Sequence, residues 1–143
     1  MNKTLEIEPN FWIAHIILAR VYIRQKRFDE AVVEAKKAGE FSGGNSEAVS
    51  LAGYALAKAE RRDEALAMLQ GLESRSKQRY VPSYNVAMIY NGLGKREEAL
   101  NQLEKAFKER DARIILLKIE PKWNDLRSEP RFQALLQRLG FHP

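Results

Sequence analysis

The sequence predicts an all-α protein built from stacked helix pairs, and two observations carry that prediction. The first is a period. FDEAVVEAKKA (Phe28–Ala38), RDEALAMLQGL (Arg62–Leu72) and REEALNQLEKAF (Arg96–Phe107) are variants of one segment, and the alanines after the acidic pair, Ala31, Ala65 and Ala99, lie 34 residues apart. A fixed period of this kind marks supersecondary units that bury their apolar faces against one another. The second is spacing within the unit. In Gly92–Phe107, Ala99, Leu100, Leu103, Ala106 and Phe107 fall on one stripe of a helix, behind an acidic first turn at Glu97 and Glu98.

Composition narrows the class. At 143 residues the chain is one domain's worth, 45% hydrophobic and 30% charged, as expected of a soluble globular fold. There is no cysteine, which excludes disulfides and thiolate metal sites and fits a reducing, cytoplasmic setting. No apolar run reaches the roughly 18 residues that a membrane span needs, so no membrane partner is expected. The opening MNKTLEIEPN lacks the apolar core of a signal peptide. The net charge of +5 is spread along the chain. Its densest cluster, Arg75, Lys77 and Arg79, reads as a solvated connection, which argues against nucleic acid as the partner.

Leu5–Pro9, LEIEP, matches the tail of a preceding unit and its terminating proline, so the chain reads as starting mid-repeat, like a piece of a longer protein. Asn10 suits the N-cap of the first helix. That helix, Phe11–Gln25, is apolar nearly all round and expects cover on more than one side. In an intact solenoid the preceding unit would supply it; here self-association through Phe11–Gln25, the Met1–Pro9 leader folding back or a crystal neighbour is expected to. Lys26–Arg27 makes a turn, and the partner helix runs from Phe28 or Asp29 to Phe41. Asn45 or Ser46 caps a third helix to Glu60, and Arg62–Arg75 is the fourth. Pro82 is expected in the first turn of the fifth, which ends near Leu93. Arg96–Glu109 is the sixth, with Glu104 on its solvent face.

Past Asp111 the period stops. A short apolar helix, Ala112–Ile119, is ended by Pro121. A last helix has Ser128 as N-cap candidate, Pro130 in its first turn and Gly140 as its stop. Phe132, Leu135, Leu136 and Leu139 should face Ile114, Ile115 or the third unit, with Arg131, Gln133, Gln137 and Arg138 outward. The resulting divisions are residues 1–11, 12–45, 46–79, 80–113 and the capping helices 112–141.

Aligning blocks from Trp12, Ser46 and Tyr80 shows what each column holds. The seventh has Leu18, Ala52, Val86; the eighth Ala19, Gly53, Ala87; the eleventh Tyr22, Leu56, Tyr90; the twentieth the three alanines. Small residues in columns eight and twenty let two helices cross at about 8–10 Å. This pattern resembles the tetratricopeptide repeat, departing from it in the missing prolines after FSGG and SRSKQR. The resemblance implies a right-handed α–α superhelix of three helix pairs with C-terminal capping helices. Tyr80–Phe141 further resembles the C-terminal end of bacterial regulators in which such repeats follow a winged-helix, serine/threonine kinase or cyclase-like effector.

In that family the first helices line a concave groove that binds a protein or peptide. Carried over by column, the groove contains Ile13, Ile16, Ile17, Arg20, Arg24, Tyr54, Lys58, Tyr84, Asn85, Met88 and Asn91. Arg20, Arg24 and Lys58 form a basic arc, and the asparagines can bond a peptide backbone, so the expected partner is an acidic or extended segment. The positions with which chaperone-binding members grip a terminal carboxylate hold Ile16, Arg20, Leu51, Val81 and Asn85 here, which argues against that clamp. His15 falls at an interior position and His142 in the tail, without a second ligand at metal spacing. Gly92 and Gly94 sit in a helix–helix turn rather than a phosphate loop. No catalytic, cofactor or metal residues are expected. The function class is a non-catalytic binding scaffold; the alternatives are a self-association module or a basic surface contacting nucleic acid.

Overall fold

The computed structural model describes residues 11–140, so the expectations for Met1–Pro9, Asn10 and His142 lie outside them. Among the described residues seven α-helices occur in order: α1 (Phe11–Arg24), α2 (Phe28–Ser42), α3 (Ser46–Lys58), α4 (Arg62–Ser76), α5 (Ser83–Gly92), α6 (Arg96–Lys108) and α7 (Pro130–Arg138). Two 3₁₀ helices, Ala112–Lys118 and Pro121–Leu126, lie between α6 and α7. Among the described residues there is no strand. The pairs are α1–α2, α3–α4 and α5–α6, and each second helix of the first two pairs also packs on the first helix of the next.

The turn inside each pair is built the same way three times. Lys26 (φ 61), Glu60 (φ 63) and Gly94 (φ 78) adopt the left-handed conformation, again 34 residues apart. The next amide reaches back to the carbonyl five residues earlier: Arg27 to Tyr22 at 2.8 Å, Arg61 to Leu56 at 2.8 Å and Lys95 to Tyr90 at 2.9 Å. That closure satisfies carbonyls that a helix end leaves without a partner. The period of the sequence is therefore a period of backbone geometry.

The small-residue columns sit at the crossings. Ala19, Ala87, Ala31, Ala65 and Ala99 are fully buried. A Cβ built on Gly53 would come within 2.7 Å of Ile89 Cδ1, so even alanine there forces Ile89 to move. Leu51, Leu56, Leu69, Leu72, Ile89, Leu100 and Leu103 fill the space around them. Replacing Ala99 by leucine should therefore overpack the third crossing and cost about 1–3 kcal/mol. A thermal melt against Lys105→Gln, at an exposed position on the same helix, measures it; equal midpoints would mean the register is misread.

Of the two cap candidates for α3, Asn45 is the one used, its side chain accepting from the amides of Glu47 (2.9 Å) and Ala48 (3.3 Å). Several other local expectations are corrected. Pro82 is the N-cap of α5 and lies outside its first turn. Ser128 does not cap α7; Glu129 holds that position without a side-chain bond to the helix amides, and Pro130 needs no amide partner. The apolar segment after Asp111 is 3₁₀ rather than α, ending at Lys118, and Pro121 begins a second 3₁₀ helix that the sequence pattern did not reveal.

The cap packs largely as expected. Phe132 and Leu135 are buried, with Leu136 and Leu139 against the core. Ile114 is buried as well, but Ile115 is exposed. Arg131 does not point away. Its guanidinium spans α6, donating to Glu104 (2.9 and 2.7 Å), Glu97 (2.8 Å) and Asn101 (2.6 Å). Glu104 is consequently an inter-helix partner of α7 rather than a free solvent-facing acid, and the Arg131 hydrogen bonds hold its carboxyl below the usual carboxylate range.

Candidate functional site

The concave face begins with α1, α3 and α5, the first helices of the three pairs. The C-terminal tail then enters it. The second 3₁₀ helix lies against α1, nearly a hundred residues upstream. Its anchor is Trp123, fully buried, with its ring edge-on to Tyr84 at 5.3 Å and its Nε1–H donating to the Tyr84 hydroxyl at 3.0 Å. Burial pushes the Tyr84 phenol up, so the hydroxyl stays neutral beside the indole. Asn91 donates to the Lys122 carbonyl at 2.6 Å, the backbone bond expected of a groove asparagine, made here to the chain's own tail. Arg127 steadies the segment from behind, donating to the carbonyls of Leu117 (2.7 Å) and Glu120 (3.0 Å).

Charged pairs tie the same segment to the basic arc. Arg24 donates to Glu120 at 2.9 Å, and Lys58 lies 3.6 Å from Asp125. Lys122 donates to the other Glu120 oxygen at 3.0 Å. Burial alone would raise the Glu120 acid, but Lys122 and Arg24 together outweigh it and hold the carboxyl below its ordinary value. Burial pushes the Lys122 ammonium down, and Glu120 offsets part of that. Lys58 also stands 5.9 Å over the Tyr54 ring. Burial, with Asp125 nearby, raises the Tyr54 phenol.

The remaining residues read from the sequence are placed as follows. Arg20 is paired with Glu47 of α3. Ile16, Tyr54, Tyr84, Asn85, Met88 and Asn91 are buried, and Asn85 donates to Ser46 Oγ at 3.1 Å, tying α5 to α3. Ile13 and Ile17 are exposed at 40% and 52% and line neither of the two clefts that flank the tail. One cleft, about 450 Å³, is bounded by Arg24, Lys26, Tyr54, Lys58, Glu120 and Asp125 among others. The other, about 300 Å³, is bounded by Arg20, Leu51, Tyr84, Met88, Arg113 and Glu120 among others. The structure thus brings Arg20, Arg24, Tyr54, Lys58, Tyr84, Met88 and Asn91 to one face and leaves Ile13 and Ile17 apart.

Glu120, Lys122, Trp123 and Asp125 were not read as groove residues from the sequence. The signal available was Trp123 itself, a large ring in the short charged stretch EPKWND, which has to be buried somewhere. Elsewhere, His15 donates through Nδ1 to Glu34 and stacks among Phe11 and Phe41, an interior packing role. Arg75 donates to the Gly44 carbonyl at 2.6 Å, so this cation of the SRSKQR cluster holds a connection between units. Among the described residues no group of three or more His, Cys, Asp or Glu is placed to hold a metal ion. No described helix is long and apolar enough to cross a membrane.

Residues 84–110, spanning most of α5 and all of α6, match the family model of the tetratricopeptide repeat. The match supports placing this chain among tetratricopeptide-repeat proteins, and the all-α stack of helix pairs agrees with it. No curated protein and no solved structure matches the chain.

Proposed function

We propose that this chain is a non-catalytic scaffold whose concave face binds an extended segment of a partner protein. The observation that carries the reading is the tail seated there. Asn91 bonds a backbone carbonyl, Tyr84 receives an indole, and Arg24 and Lys58 meet carboxylates, all from one short stretch of chain. Tetratricopeptide repeats commonly mediate protein–protein contacts, which agrees with that use of the face. The resemblance of Tyr80–Phe141 to the C-terminal repeats of bacterial regulators supports a regulatory role in the cytoplasm, downstream of an effector domain. The test is a peptide array followed by titration of the peptides that bind. Arg20→Glu with Lys58→Glu should weaken them about ten-fold or more, whereas Lys105→Glu on α6 should not. Peptides bound equally by both variants would overturn the reading.

A second reading rests on a different surface. Ile13, Ile17 and Leu18 of α1, with Val33 and Phe41 of α2, are 40–52% exposed on the first helix pair. Apolar exposure of this kind on one pair fits self-association through Phe11–Gln25. Light scattering of the parent and of Ile17→Lys separates the readings: a parent dimer that Ile17→Lys converts to monomer supports self-association, and a parent monomer removes it.

A further inference from the structure

Glu120 divides the concave face. The residue is only 7% exposed, and its two carboxylate oxygens are taken by cations from different elements, Arg24 at 2.9 Å and Lys122 at 3.0 Å. The Lys122 side chain is 6% exposed. The clefts of about 450 and 300 Å³ lie on either side of this bridge, and Arg24, Glu120 and Lys122 belong to the walls of both. They are two chambers of one trough, separated by a carboxylate between two cations. The larger chamber is lined by four cations, Arg24, Lys26, Lys58 and Lys122, against two acids, Glu120 and Asp125. Both acids come from the tail.

A buried ammonium keeps its position only while a carboxylate answers it, because leaving it unpaired exposes the full cost of its desolvation. The same argument makes exchange easy. A second carboxylate arriving at Arg24 and Lys122 leaves both cations satisfied, so the swap itself costs little. Glu120 holds the place by tethering, since an intramolecular group has a high effective concentration. A partner needs further contacts to win it, and the clefts offer the partly exposed Phe28 and the exposed Ile119 beside the cations.

We propose that Glu120 is a built-in stand-in for a ligand, and that a glutamate or aspartate of an acidic partner segment displaces it from Arg24 and Lys122, joining the two chambers into one trough. The proposal rests on the reading of the concave face as a partner groove. It gives that groove a partner chemistry, an acidic peptide, and a resting state in which the chain's own acid lowers the affinity seen from outside.

Fluorescein-labelled octaglutamate, titrated into the full chain at low salt by anisotropy, tests it. Glu120→Gln should bind about ten-fold tighter than the parent, the factor set by freeing charge-assisted bonds at Arg24 and Lys122. Adding Arg24→Gln to that variant should remove the gain. Glu40→Gln, an exposed position on α2 with the same change in net charge, should leave binding as in the parent. Should Glu120→Gln fail to fold, Asp125→Asn carries the test, because that side chain is 64% exposed and its loss frees Lys58. It should tighten binding by about three-fold. Equal binding by the parent, Glu120→Gln and Asp125→Asn, or no binding by any of them, overturns the stand-in role. The groove reading then still stands or falls on the array peptides and their response to Arg20→Glu with Lys58→Glu.

Discussion

Trp123→Ala lowers the stability of the folded chain by about 3–5 kcal/mol, the range for removing a fully buried tryptophan from a packed site. The ring is 0% exposed and makes two distinct interactions with α5: the edge-on contact with Tyr84 and the Nε1–H bond to its hydroxyl. Alanine leaves a cavity between the second 3₁₀ helix and α5 and strands the buried Tyr84 hydroxyl. Trp123→Phe separates these effects. It keeps much of the ring and loses the bond, so its cost should be nearer 1–3 kcal/mol, that of one unsatisfied buried polar group. Urea unfolding followed by far-ultraviolet circular dichroism reads both variants. A midpoint for Trp123→Ala equal to the parent's would show that the tail is not anchored in the concave face.

Ending the chain after Arg110 has the larger effect. Ile114, Leu117, Trp123, Leu126, Phe132 and Leu135 are all buried, and the truncation removes every one. Each fully buried large apolar side chain contributes about 1.5–3 kcal/mol, while a whole domain retains about 5–15 kcal/mol. The shortened chain also uncovers the faces of α5 and α6 that Trp123 and α7 cover. Loss of a cooperative thermal transition, or aggregation during purification, is the expected result. A truncated chain that melts cooperatively at the parent's temperature would mean that the tail is an appendage and the third pair ends the fold by itself.

The helix pairs were legible because their constraint repeats. A close crossing admits only a small residue, and a left-handed turn recurs at a fixed offset, so Ala31, Ala65 and Ala99 announce both the unit and its register. The cap's last helix was legible for the same reason, since Phe132, Leu135, Leu136 and Leu139 keep a helical stripe. The tail's route into the concave face was not. A 3₁₀ helix of six or seven residues carries no stripe long enough to read. Nothing local to Glu120 says that its partner is Arg24, 96 residues away. Column position assigned the groove residues to the first helices of the pairs, and that much rests on geometry that every repeat shares. That Arg24, Lys58, Tyr84 and Asn91 are engaged by the tail depends on one tertiary path, visible only in coordinates. Arg131 shows the same limit at smaller scale: its position in α7 faces away from the stripe, but a long guanidinium can still bridge to Glu97, Asn101 and Glu104 on α6.

A stack of repeats ordinarily behaves as a spring of independent coils, in which each unit feels only its neighbours and the ends fray first. The tie between Arg24 and Glu120 adds a strut across this spring. It joins the first described coil to the tail that packs on the last, a contact between units that are not neighbours in sequence. Opening at either end then has one more bond to break than a sum over neighbouring units would count.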